Sequence, residues 1–112
     1  MTLNYADARR VATVYIDVVS GGRGVAVAVT PLSYGWIFYY NSRDYVATGD
    51  WRKSWAGNAP FLVTRIDGNL LVLGTIDVRR RLTEYEQTVP PSVMAMEPEL
   101  PPTDDLRLTP KP

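Results

Sequence analysis

The sequence predicts an α+β domain, a four-stranded antiparallel meander with an N-terminal helix and a short C-terminal helix. Three observations predict it. Apolar residues recur at helical spacing over the first twenty positions, period-two runs of valines and aromatics follow, and an Asp-Gly pair separates two later apolar runs. The order read this way is α-β-β-β-β-α, with the helices laid on one face of the sheet.

The first helix opens at Asn4, a residue suited to the N-cap, and Asp7 stands three positions on to complete a capping box and favour the positive end of the helix dipole. Ala8, Val11, Ala12, Tyr15 and Val18 or Val19 form its apolar side, and Gly21-Gly22 supplies the left-handed residue that ends it. Val25, Val27 and Val29 alternate with Ala26 and Ala28, which predicts a strand, and Pro31 is expected to stop it because proline cannot donate to a ladder. Residues 35–41 make a second, aromatic strand. Trp36, Phe38 and Tyr40 share one of its faces, and Ile37 and Tyr39 the other. Five residues between the strands suit a hairpin.

Residues 42–59 lose all periodicity and read as a long connection with room for a short helical turn. Residues 60–66 and 69–74 are two more strands around Asp67-Gly68, a pair that suits a tight turn needing positive φ at both positions. Asp77 is placed to cap a last helix over residues 78–85. After Gln87 the composition shifts, because seven of the nine prolines lie in the last 23 residues. The domain is therefore expected to span residues 1–87, and residues 88–112 to form an extended or disordered tail unable to offset its ordering entropy by burial.

Composition bounds the chemistry. A chain of 112 residues has room for one domain. Twelve Lys and Arg balance twelve Asp and Glu, which argues against nucleic acid and against a polybasic membrane anchor as partners. Cysteine and histidine are absent, so disulfides, thiolate metal sites and the commonest general base are excluded. The first ten residues lack the layout of a signal peptide and no apolar run reaches membrane-spanning length, which points to the cytosol. A hydroxyl nucleophile would have only Lys53 or Lys111 as base, and neither lies in a motif. Asp44 and Asp50 are the acids left without a turn or cap role, and surface or capping duty explains them better than catalysis or metal binding. Gly21-Gly22-Arg23-Gly24 follows a helix and precedes a strand, the reverse of a phosphate loop. No catalytic residue, metal ligand or cofactor is expected. Arg79, Arg80 and Arg81 splay around a helix and read as a solvated face, with contact to an acidic partner as the alternative.

Residues 35–43 (Gly35, Trp36, Ile37, Phe38, Tyr39, Tyr40, Asn41, Ser42, Arg43), then Gly57-Asn58-Ala59-Pro60-Phe61-Leu62-Val63, then Asp67-Gly68 and Gly74-Thr75, resemble the YrhB-like or immunity protein 35 family. That family reads as a helix, a strand close to "GWVFFYNS", a loop ending "GNAP", a strand, a turn and "GT" before a last helix. The likeness runs from Leu3 to Glu86. Where the family often has proline and acids early in the last helix, this chain has Val78-Arg79-Arg80-Arg81, and the proline-rich tail lies outside the pattern. The resemblance implies a non-catalytic bacterial immunity protein that binds and neutralises a cognate toxin. A small chaperone-like domain that holds unfolded clients is its other implication.

A partner surface is expected on residues 42–59 and the aromatic strand before them. Tyr34, Tyr45, Trp51 and Trp55 would be its anchors, together with Trp36 of the strand, which is most simply sheet core, and Arg43, Asp44, Asp50, Arg52 and Lys53 its rim charges, because flat amphipathic rings give contact area at low entropic cost. The competing reading is a loop pinned to the sheet by its own tryptophans. Charge balance within the stretch points to shape and aromatic packing more than electrostatic steering.

Overall fold

The structure, a computed structural model, describes residues 2–109. Helix α1 (Tyr5–Ser20) leads into β1 (Gly24–Leu32) and β2 (Gly35–Ser42). Helix α2 (Arg43–Thr48) and a 3-10 turn (Trp51–Lys53) cross to β3 (Phe61–Thr64) and β4 (Leu70–Val72). Helices α3 (Val78–Glu86) and α4 (Pro91–Met94) and strand β5 (Arg107–Leu108) complete the chain. The sheet runs β4-β3-β2-β1-β5, and the four expected strands are antiparallel neighbours. The class is α+β, but the sheet has a fifth strand, parallel to β1, and is mixed.

Helix α1 forms as its ends dictate. The Asn4 side chain accepts from the Asp7 amide at 2.9 Å, the Asp7 carboxylate returns the bond, and Gly21 closes the helix in the left-handed conformation. Its buried stripe is Tyr5, Ala8, Ala12, Ile16 and Ser20. Val18 and Val19, one of which was expected on that side, are both exposed. Alanines let the helix sit close to the sheet, while Val11 and Tyr15 flank the stripe.

The sheet is covered on both faces, against the expectation of one. Trp36, Phe38, Phe61 and Val63 face α1, where Tyr5 and Phe38 stack at 6.2 Å. Ile37 and Leu62 point the other way, onto Leu73, Leu82, Val89 and Val93. Strand alternation therefore feeds two cores, and a sheet this apolar on both sides needs two covers.

Several local expectations give way to context. Strand β1 runs through Pro31, which lies opposite Trp36 and beyond the stretch that β5 covers, so no ladder bond is broken there. A register shift between Ala26 and Ala28 turns Val29 into the α1 core and leaves Val25 and Val27 half-buried. The β3–β4 turn is a five-residue loop, not a two-residue one. Gly68 alone takes positive φ; its N–H donates to the Thr64 carbonyl, and the Thr64 hydroxyl and Asp67 carboxylate hold the Asn69 amide. Asp77 makes no side-chain cap. It adopts φ 61 and, among the described residues, is the one non-glycine with positive φ.

The segment after Gln87, expected to be extended or disordered, docks. Val89 and Val93 enter the second core, so packing does not end at residue 87. The chain then passes along the α1 side. The Glu97 carbonyl accepts from Arg65 at 2.8 Å, and the Glu99 carbonyl accepts from Trp36 Nε1 at 2.8 Å. The Glu99 carboxylate accepts from the Tyr5 amide, and Asp105 receives the Tyr5 hydroxyl and Arg9. The physical reason is a debt elsewhere in the chain: a fully buried tryptophan needs an acceptor for its N–H, and this segment supplies one.

Candidate functional site

The site begins where β2 ends. The Asn41 side-chain oxygen accepts from the Trp55 amide at 2.8 Å and the Ser42 amide at 2.7 Å, while its amide nitrogen donates to the Ser54 hydroxyl. Asn58 donates to the Tyr40 carbonyl at 3.0 Å. These bonds tie the far end of the 42–59 connection to the sheet. Ser42 caps α2 by accepting from the Tyr45 amide, and Gly49 ends it at φ 72. Asp50 caps the 3-10 turn and holds Arg52 through two side-chain bonds of 3.0 and 3.1 Å. Those bonds, with one from the Arg52 amide, lower the Asp50 pKa below the ordinary carboxylate value.

The structure divides the nine expected contact residues. Trp51 is 78% exposed, and Arg43, Asp44 and Arg52 are also exposed. Tyr45, Asp50 and Trp55 are half-buried. Tyr34 and Trp36 are core: Trp36 is sealed beneath Glu99, and Tyr34 sits in the β1–β2 turn with its hydroxyl donating to Glu86 at 2.6 Å. These two rings face inward and offer nothing to a partner. On the connection itself, Trp55 is anchored to the sheet through its amide while Trp51 stands exposed.

A cleft of about 390 Å³ opens beside Trp55, lined by Gly22, Arg23, Arg43, Asp44, Arg52 and Lys53 among others. Arg23 was missed in the sequence because it lies nineteen positions before the connection begins. The hairpin pairs Gly24 with Ser42, and the Arg43 amide donates to the Arg23 carbonyl at 2.8 Å, so the two arginines become neighbours. Hairpin register was the signal that could have found it. Asn41 was missed because an asparagine at a strand end reads as ordinary turn chemistry.

A second feature lies on α1. Val11, Val14, Tyr15 and Val18 form, with Leu70 of edge strand β4, an apolar groove of about 440 Å³. Among the described residues no three Asp, Glu, His or Cys side chains converge to hold a metal ion, and no helix is long and apolar enough to cross a membrane. Lys111 lies outside the described residues.

The chain is thus an α+β domain, a helix on a strongly aromatic sheet with a pinned polar connection that carries an exposed tryptophan. Its sequence matches the family model of immunity protein 35 over residues 6–99, and the chain belongs to that family. The match takes in residues 88–99, which had been placed outside the family pattern. It is 34% identical over 88 residues to uncharacterized protein YrhB of Escherichia coli (strain K12), an alignment covering 76% of this chain and 86% of that protein. No solved structure matches it.

Proposed function

We propose that this protein is an immunity protein that binds a cognate bacterial toxin in the cytoplasm and neutralises it by occupying its surface, without catalysis. The observation that carries the proposal is the match to immunity protein 35 across most of the chain. The docking surface we assign is the outer side of the 42–59 connection. Trp51 is its anchor, and Arg43, Asp44, Tyr45, Asp50, Arg52 and Trp55 surround it. What supports this choice is the cost of leaving a tryptophan in water on a connection otherwise fastened to the sheet.

The test uses the tagged full-length chain as bait for bacterial proteins. One stoichiometric partner that kills cells when expressed alone, and is harmless when co-expressed with this chain, is the expected result. A broad, heat-enriched set of partners would overturn it and favour the holding of unfolded clients. The apolar groove between α1 and Leu70 is the observation that gives this second reading substance. An apolar-surface dye that binds the native protein strongly, and stops binding when Val14→Ser and Val18→Ser are combined, would support it.

A further inference from the structure

We infer that the partner docking on this connection presents acidic side chains to the cleft beside Trp55, where Arg23, Arg43, Arg52 and Lys53 receive them. This inference rests on the immunity reading and deepens it.

The cations come from three separate segments: the turn after α1, the start of α2 and the 3-10 turn. Asp44 is the one acid among the cleft's lining residues, and the chain as a whole carries no net charge. The local excess is therefore made by folding and is invisible to composition. Folding also fixes it, because the backbone bond from Arg43 to Arg23 leaves neither arginine able to withdraw its main chain. Like charges held together cost free energy that an opposite charge recovers.

Their donors are available. Arg23 gives Nε–H to the Ser20 carbonyl at 3.3 Å, and Arg43 gives one Nη2 bond to the Gly24 carbonyl at 3.2 Å. Each guanidinium has five N–H groups, so most remain for a ligand, in a fork that fits a carboxylate. Among the described residues Arg23, Arg43 and Lys53 form no ion pair; Arg52 pairs with Asp50. A nucleic-acid strand needs cations continuing along a track of phosphates. Here they end within one cleft, with Asp44 and Asp50 standing among them, and that favours the carboxylates of a protein surface.

The experiment is a backbone-amide NMR titration of the full chain with a synthetic dodecapeptide rich in Asp and Glu. Its Asn/Gln counterpart, sodium phosphate and a twelve-nucleotide single-stranded RNA serve as comparison probes. The expected result is chemical-shift change at residues 22–24, 42–44 and 52–55 with the acidic peptide only, weakened on the order of tenfold between 50 and 300 mM salt. R43E/K53E should abolish it. So should R52E/K53E, which keeps the Arg43–Gly24 bond and guards against a folding defect. Shifts that are absent, that lie elsewhere, or that RNA or phosphate reproduces more strongly overturn the inference. So does unchanged binding by the folded variants. The toxin reading stands or falls separately on the capture and rescue assay, which does not involve the peptide.

Discussion

Trp36 and Trp51 show what context does to one residue type. Trp36 sits in a period-two aromatic run, is fully buried, and spends its N–H on the Glu99 carbonyl; Trp51 stands on a turn in water. Trp51→Ala is therefore expected to change unfolding free energy by less than about 0.5 kcal/mol, as surface substitutions do. It should weaken toxin binding by about 2 kcal/mol if the ring is an anchor. Urea melts and calorimetric titration separate the two effects, and normal toxin binding by this variant would remove the assigned surface. Asn41 makes the converse case. Asn41→Ala strips acceptors from two amides and should cost about 1–3 kcal/mol. Hydrogen exchange at the Trp55 amide should rise with it; an unchanged rate would mean that the pin is not what holds the loop. The sequence marked the exposed aromatic as interesting, yet could not separate it from Tyr34, which packs in the second core and whose hydroxyl finds its acceptor in Glu86, fifty-two positions away.

At the scale of elements, what was legible is what local physics decides. The capping box of α1, its glycine stop, the alternating faces of β2 and the β3–β4 pairing follow from neighbours in sequence. What was illegible depends on distant partners. Strand β5 exists because the edge of β1 is open at Ala28 and Val29, and the last segment docks because Tyr5, Trp36 and Arg65 have donors to satisfy. A composition argument weighs a segment's own hydrophobicity and misses this. Gly35 belongs to the same scale, since a Cβ there would clash with the Val63 carbonyl oxygen. Gly35→Ala should cost roughly 2–3 kcal/mol by forcing β2 and β3 apart. Asp105→Ala tests the docked segment. It leaves the Tyr5 hydroxyl and Arg9 without their shared carboxylate and should cost about 1–3 kcal/mol in a urea melt. Unaltered stability would show that the segment rests on the domain without contributing to it.

The whole molecule carries a pH signature set by what it lacks and by what it buries. With no histidine or cysteine, its side-chain types do not ordinarily titrate between roughly pH 6 and 8, so stability should be flat there. On the alkaline side, two phenols on opposite faces of the sheet act together. Burial first, and then the hydrogen bond and negative charge of Asp105, push the Tyr5 pKa well above its ordinary 10.0. Burial and Glu86 do the same to Tyr34. Raised folded-state pKa values mean that the unfolded chain loses these protons first. The stabilisation is complete below pH 10 and falls as pH rises above it, toward the folded values. Each phenol sets a limiting slope of about 1.4 kcal/mol per pH unit. Urea melts at intervals from pH 8 to 11 should show a plateau and then a decline. The double variant Tyr5→Phe and Tyr34→Phe, less stable at neutral pH for want of two hydrogen bonds, should decline less steeply. Parallel declines would place the alkaline loss elsewhere, and Tyr40 and Tyr85, both also raised by burial, would be the groups to replace next.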